Sequence, residues 1–413
     1  MNNQKNYLGP FITMVFLFLI VGFLTVVFQQ FQKPLESAFL DNVGKIKNTL
    51  AILVTFTWFL AYPLTGSTGS KWVDKFGYKK TLGRALIVMI VGLLVCAGSA
   101  WLGSNTDIKI GNISIGFYVF LLGTFIVGAA ATVMQVVINP YLIASKVGGT
   151  TGTQRNIIGG AANSIGTTVA PFFVSGIIFG GAAISNVKIE QVTIPFLLLA
   201  ATIVIVALVV SRLTLPNIAG TRTTGEVLEK SIWSFSHLKL GVIGIFFYVG
   251  IEVAIGANIN MYADWLGGSF AAKATTMAAL YWGGMLVGRL IGSFLKISAQ
   301  TQLTVTTIVA TGLVLAAIFT GNPWLLVGVG LLHSIMWSGI FSLAVKKLGK
   351  YMAKGSGALM IGVIGGAILP WLQGVWADAM GGAWTWTWFI VVAGELYILY
   401  YALIGSKVKQ SAD

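Results

Sequence analysis

A chain of 413 residues with mean hydropathy +0.86, 56% hydrophobic residues and 9% charged ones carries far too little charge for a water-soluble domain, where about a quarter is usual. Its net charge of +14 would suit nucleic acid, but the basic residues gather in short segments between apolar runs, which marks one face of a membrane protein instead. A single cysteine, Cys96, and two histidines exclude an internal disulfide and a Cys/His metal centre; no phosphate-binding glycine loop precedes a lysine. Enzymatic chemistry, ATP-driven transport and cofactors are therefore not expected.

Twelve apolar segments follow one another in chain order, 11–31, 49–70, 81–102, 114–144, 155–183, 191–211, 239–262, 271–296, 301–320, 323–345, 355–377 and 383–406. Most reach the roughly twenty residues a helix needs to cross a hydrocarbon core, and they lack the strict alternation of barrel strands. The class is an all-α polytopic membrane protein. The first run is too long for a signal-peptide core and has no clear small-x-small cleavage site after it, so it is a retained span. With the N-terminus inside, most of the 26 basic residues are internal and only Lys33, Lys45, Lys47, Lys109, Lys188 and Lys273 lie outside. The positive-inside rule then sets both termini in the cytoplasm. The 51 glycines fit helices that approach closely through small side chains.

Segment 212–238 carries Pro216 and charges of both signs and divides the spans six and six. The expected organisation is an N-terminal six-helix bundle over 1–211, a cytoplasmic linker over 212–238 and a C-terminal six-helix bundle over 239–413. Weak internal similarity supports a repeat. Phe18-Leu19-Ile20-Val21-Gly22 matches Phe246-Phe247-Tyr248-Val249-Gly250, which sets Gln30 and Gln32 opposite Asn258 and Asn260; Gly166 and Gly365 each stand five residues before a proline, Pro171 and Pro370. Two six-span halves around a midplane site is a transporter architecture.

Polar side chains within the spans are the candidate site, because an uncompensated polar group is costly in hydrocarbon. Gln135 and Asn139 stand at i and i+4 on one helix face, with Pro140 freeing a backbone carbonyl one turn back. Amides both donate and accept, which suits a neutral polyhydroxylated ligand; interhelical amide bonds are the competing reading. Asn163, after Ile157-Ile158-Gly159-Gly160-Ala161-Ala162, is either a ligand contact or helix glue. Glu252 is a carboxylate at mid-membrane, where insertion costs roughly 2.5 to 3.5 kcal/mol, so it needs a cavity, a partner or a proton. Tyr248 lies one turn away on its face, and Asn258 continues the polar character outward. Trp282 and Trp337 can stack on the apolar face of a sugar ring. His333, one turn before Trp337, reads as a satisfied hydrogen-bonding residue, and Glu395 in the last span as a structural carboxylate. With no Lys or Arg at mid-membrane to neutralise an anion, a neutral substrate is favoured.

The loop Ser70-Lys71-Trp72-Val73-Asp74-Lys75-Phe76-Gly77-Tyr78-Lys79-Lys80 resembles the G-x-x-x-D-[RK]-x-G-x-[RK]-[RK] loop of the major facilitator superfamily, with Ser70 where glycine is usual. There Asp74 would cap or pair at the cytoplasmic helix ends, and Gly77 would permit the turn. Further stretches are similar to the fucose/galactose/glucose:proton symporter branch: Gln135 to Tyr141, Asn163 to Pro171, Tyr248 to Gly256, Tyr281 to Gly284 followed by Gly288-Arg289, Ser334 to Met336, and Gly365 to Gly374. The resemblance implies twelve helices in two pseudo-symmetric six-helix bundles, and sugar transport coupled to protons. It also implies acids at the positions of Gln30 and Gln135 and a glutamine at Gly160. Those acids supply proton coupling and sugar contact in the family, which leaves Glu252 as the candidate in this chain.

The expectation is a secondary active transporter that imports a neutral monosaccharide, a hexose, deoxyhexose or N-acetylhexosamine, by alternating access with proton symport. Sodium coupling, facilitated diffusion and export of amphipathic compounds are the alternatives. The substrate site is expected to comprise Gln30, Gln135, Asn139, Asn163, Glu252, Asn258, Trp282, Trp337 and Gln373, with Glu252 as the proton-coupling residue and Asp74 and Arg155 at the cytoplasmic gate. The expected partners are the sugar, the coupling ion and the lipid bilayer of a bacterial inner membrane, with the protein acting as a monomer.

Overall fold

The structure, a computed structural model, describes residues 8–40, 43–145, 147–148, 152–181, 189–213, 215, 230–294, 297–348 and 351–409. Its long helices are α1 (Leu8–Gln30), α2 (Leu53–Asn105), α3 (Ile115–Ala144), α4 (Gly152–Phe172), α5 (Thr193–Arg212), α6 (Ser236–Leu266), α7 (Ala274–Phe294), α8 (Ala299–Thr320), α9 (Trp324–His333), α10 (Met336–Ala344), α11 (Gly365–Ala379) and α12 (Phe389–Tyr400). Among the described residues, eleven spans are long and apolar enough to cross a membrane. The remaining predicted segment, 271–296, is the 21-residue α7, whose Arg289 and repeated glycines dilute its apolar content.

Two predicted segments, 49–70 and 81–102, run together in α2, and the break between them is Gly77, at φ 75° and ψ 169°. That backbone conformation is open to glycine and strained for other residues. Beside it Arg84 lies over the rings of Phe76, at 3.4 Å, and Trp72, at 5.8 Å, a cation–π arrangement that holds the loop against the start of the next span. The predicted segment 323–345 is interrupted at Ser334–Ile335, which separates α9 from α10. A two-stranded hairpin, β1 (Lys109–Ile110) and β2 (Ile113–Ser114), turns at Gly111 and leads into α3. The Ser114 hydroxyl accepts from the Gly116 N–H and caps that helix.

The chain forms two compact units, Met1–Val43 with Leu60–Arg222, and Gly44–Phe59 with Thr223–Asp413. In the first, α1 packs along α4 through glycine. A Cβ on Gly166 would collide with the Leu19 carbonyl oxygen, and one on Gly22 would collide with the Asn163 amide. Near the far end of α1, Phe28, Phe31, Phe120 and Phe196 form a cluster with centroids 5.2–5.9 Å apart, in which Phe196 meets the other three rings edge-to-face, an arrangement their ring quadrupoles favour.

In the second unit α6 is buried along most of its length and meets α11 in the same manner. A Cβ on Gly365 would strike the Phe246 carbonyl oxygen, and one on Gly250 would strike Leu369. The segment matches of the sequence, Phe18–Gly22 with Phe246–Gly250 and Gly166 with Gly365, are thus the points where each unit's first helix crosses its fifth. Small residues there bring backbones into van der Waals contact, which supplies association energy where lipid offers no hydrophobic drive.

One carboxylate fastens the short helix Lys47–Ala51 to α11. Asp378, 8% exposed, accepts at Oδ1 from Asn48 N (3.2 Å) and Asn48 Nδ2 (2.7 Å), and at Oδ2 from Thr49 N (2.7 Å) and Thr49 Oγ1 (2.6 Å). Two of those donors are first-turn backbone N–H groups that no helical carbonyl can serve, and an anion suits that helix end. Asp378→Ala is expected to destabilise the protein by about 2–4 kcal/mol, since it strands buried donors, read as a lowered unfolding temperature in detergent. Gly166→Leu and Gly365→Leu should abolish folded yield on size-exclusion chromatography. Gly83→Ala, on α2 with open space around it, should be neutral or stabilising by about 0.5–1 kcal/mol.

Candidate functional site

The buried polar side chains of the first unit are mostly engaged by neighbouring helices. Gln135 on α3 donates from Nε2 to the Tyr62 hydroxyl at 2.6 Å, and Asn139 lies one turn further along, half-buried. Asn163 on α4 donates from Nδ2 to the Phe18 carbonyl on α1 at 3.0 Å. The missing side chain of Gly22 makes room for that amide. Gln30, at the end of α1, is 4% exposed. Its neighbour Gln29, absent from the sequence-derived site, is 1% exposed, and neither atom of its amide has a hydrogen-bond partner among the described residues. Its adjacency to Gln30, at the end of a long apolar run, is the sequence signal that could have pointed to it.

Arg155 is 6% exposed and donates from Nε to the Leu142 carbonyl at 2.9 Å, joining the start of α4 to the last turn of α3. A cation is well placed at the negative end of a helix dipole. The Asp74 side chain lies outside the described residues.

In the second unit two clusters flank α6. The first is an amide chain. Asn258 Nδ2 donates to Gln373 Oε1 at 2.9 Å and to the Pro370 carbonyl at 3.3 Å, Gln373 Nε2 donates to Thr387 Oγ1 at 3.1 Å, and Thr387 donates to the Trp384 carbonyl at 2.6 Å. All three side chains are fully buried. They tie α6, α11 and the turn before α12 together, and Asn258 Oδ1 accepts nothing among the described residues.

The second cluster surrounds Glu252, which is half-buried. Tyr248, Glu252 and Gly256 repeat every four residues and so share one face of α6. At one end of that face Tyr248 meets the rings of Trp337 (6.3 Å) and His333 (6.1 Å). At the other end the Trp282 indole rests on Gly256, where a Cβ would collide with it. Trp282 is 5% exposed with Nε1 unpartnered among the described residues, whereas Trp337 is only half-buried and stacks on Phe341. Arg289 and His333 lie within electrostatic reach of Glu252. Sequence position alone put Arg289 at the inner end of its span; its charge nonetheless acts on the carboxylate through space.

A further group joins this cluster from three helices. The Tyr281 hydroxyl is 3.1 Å from the Glu252 carbonyl oxygen and 2.8 Å from His333 Nδ1, and His333 Nε2 is 2.7 Å from Glu395 Oε1. His333 and Glu395 are separated by 62 positions, so no local spacing in the sequence announces the pair. The structure therefore groups Glu252, Trp282 and Trp337 on one side of α6 and Asn258 with Gln373 on another. Among the described residues no His/Cys/Asp/Glu group suited to a metal ion occurs.

A model of the family described as the Major Facilitator Superfamily matches residues 7–370. The chain is similar to a glucose/galactose transporter of Brucella abortus, with 34% identity across 98% of this chain and 96% of that one. It is also similar to an L-fucose-proton symporter of Escherichia coli, at 24% identity across 92% of this chain and 89% of that one. The crystal structure of the fucose:proton symporter of E. coli shares the fold, with a TM-score of 0.68 at 20% identity over 98% of this chain and 100% of that one.

Asn163→Ala and Gln373→Leu are expected to lower unfolding stability by about 1–3 kcal/mol each, because each leaves a buried polar partner or its helix contact unmade. Thermal unfolding in detergent measures this, with Ile158→Leu, an exposed position on α4, as the neutral control.

Proposed function

The chain belongs to the major facilitator superfamily, and on that premise we propose that it is a secondary active transporter importing a neutral monosaccharide by alternating access with proton symport. The observation that carries this reading is the face of α6 that holds Glu252 between Trp282 and Trp337. A carboxylate and aromatic rings are the groups that hold a sugar: the ring faces cover its apolar side while the carboxylate accepts from hydroxyls. In the first unit, Gln135, Asn139 and Gln30 carry amides, which both donate to and accept from hydroxyls. The kinship with a glucose/galactose transporter favours a hexose.

Coupling follows from the cost of a charge in a low-dielectric interior. A carboxylate held inside a membrane protein is tolerated when it is paired, hydrated or protonated. Glu252 takes a proton while its cavity is open to the acidic side, carries it as a neutral acid through the occluded state, and releases it on the other side near Arg289. Gln30 and Gln135 cannot do this, because an amide does not exchange a proton at physiological pH.

Alternating access is a rocking of the halves 1–211 and 239–413. Arg155 and Asp74 belong to the inner gate. On this reading the membrane is a bacterial inner membrane, both termini face the cytoplasm by the positive-inside rule, and the protein acts as a monomer.

Uptake into proteoliposomes tests the reading with labelled D-glucose, D-galactose, L-fucose and N-acetyl-D-glucosamine, each under a pH gradient, a sodium gradient or neither. The expected result is accumulation of at least one sugar under the pH gradient alone, up to about tenfold per pH unit at one proton per sugar. Glu252→Gln should abolish this accumulation while sugar-for-sugar exchange continues. Flux of none of the sugars refutes the transport reading; accumulation driven by sodium, or equilibration without accumulation, replaces the proton by one of the alternatives.

A further inference from the structure

Glu395, His333 and Tyr281 form a line of hydrogen-bonding groups that ends on the backbone of Glu252. Glu395 on α12 and His333 on α9 are both 0% exposed, and Tyr281 on α7 is fully buried as well. The contacts run from Glu395 Oε1 to His333 Nε2 at 2.7 Å, from His333 Nδ1 to the Tyr281 hydroxyl at 2.8 Å, and from that hydroxyl to the Glu252 carbonyl oxygen at 3.1 Å. The other Glu395 oxygen, Oε2, is buried and accepts no hydrogen bond among the described residues. A permanent carboxylate would leave that oxygen uncompensated.

Counting hydrogens fixes how the line behaves. The Tyr281 hydroxyl has one proton to give, and the Glu252 carbonyl can only accept. With Glu395 ionised and the imidazole neutral, Nε2 carries the ring proton and donates to the carboxylate. Nδ1 is then a bare lone pair, which accepts from Tyr281, and the Glu252 carbonyl receives nothing from that hydroxyl. Adding one proton reverses the far end wherever the proton settles. Either the imidazole becomes doubly protonated beside the carboxylate, or Glu395 becomes an acid donating to Nε2 while the ring proton moves to Nδ1. In both cases Nδ1 donates to the Tyr281 oxygen, and the hydroxyl proton turns to the Glu252 carbonyl.

We propose that Glu395, His333 and Tyr281 are a one-proton relay whose protonation turns the Tyr281 hydroxyl from His333 to the Glu252 backbone. Glu395 and His333 hold the proton, and Tyr281 is a positioning residue that transmits it. The inference rests on the proton symport proposed above and assigns to coupling two residues that sequence reading left as structural. Among the described residues, the other titratable or charged groups around the line are Tyr248 and Glu252 on α6 and Arg289 on α7. The relay lets the final span sense a proton and convey it to the helix that carries the sugar-facing carboxylate, without Glu395 touching substrate.

The test uses the full chain in lipid nanodiscs, labelled with nitrogen-15 at histidine. The protein has two histidines, and His333→Gln assigns their signals. The expected spectrum, followed as pH is lowered, shows His333 Nδ1 gaining a proton in a single step. Glu395→Gln should remove that step. Tyr281→Phe keeps the ring and its packing and should alter the Nδ1 signal. In proteoliposomes the ratio of pH-driven D-glucose accumulation to D-glucose exchange should fall at least about tenfold in Glu395→Gln, a loss equal to about 1.4 kcal/mol of coupling. A His333 ring that keeps one protonation pattern throughout, or a step unchanged by both substitutions, overturns the relay. Wild-type accumulation retained in Glu395→Gln overturns the relay alone, whereas wild-type flux indifferent to the pH gradient overturns proton symport and the relay with it.

Discussion

A polar atom within a bilayer has no water to turn to, so its partner must be supplied by the protein. That constraint organises the interior of this molecule. Asn163 reaches the Phe18 carbonyl, Gln135 reaches Tyr62, Asn258 reaches Gln373, and His333 reaches Glu395. Each bond spans two helices, and each therefore fixes a helix pair as well as satisfying a group. The atoms left over, such as Gln29's amide, Asn258 Oδ1 and Trp282 Nε1, are the ones with capacity to spare for a ligand.

Close helix contact makes those bonds possible. Asn163 can meet the α1 backbone because Gly22 has no side chain, and the crossing at Gly166 holds the two helices at that spacing. The second unit uses Gly365 on the Phe246 carbonyl for the corresponding crossing. The crossings are alike, but their polar content differs. In the first unit an amide sits beside the crossing, while in the second the amides lie further along, at Asn258 and Gln373. A duplicated packing scaffold thus carries diverged polar decoration, with the ionisable cluster around Glu252 in the second unit and amides such as Gln135 and Asn163 in the first.

The ionisable side chains around Glu252 come from four helices. Glu252 and Tyr248 belong to α6, Tyr281 and Arg289 to α7, His333 to α9 and Glu395 to α12. Charges in hydrocarbon are tolerated in company, where pairs and shared protons spread the desolvation cost. A cluster of this kind has more than one proton position within a few ångströms, and its occupancy changes with the exposure of any member. Trp282 and Trp337 border the same face, so a sugar bound between them would alter that exposure.

The sequence by itself determined the membrane class, the succession of spans and the glycines at the crossings, because each is written in local composition over about twenty residues. It also singled out Glu252, since a carboxylate inside a span stands out against its own helix. It left open whether an amide binds ligand or another helix, because that choice depends on a partner far away in the chain. Asp378 and Asn48 are 330 positions apart, Asn163 and Phe18 are 145, and Asn258 and Gln373 are 115. The same distance hid the pairing of His333 with Glu395 and the reach of Arg289 toward Glu252. Only tertiary structure decided which buried groups satisfy one another, since hydrogen bonding and charge pairing act over ångströms in space and are indifferent to separation along the chain.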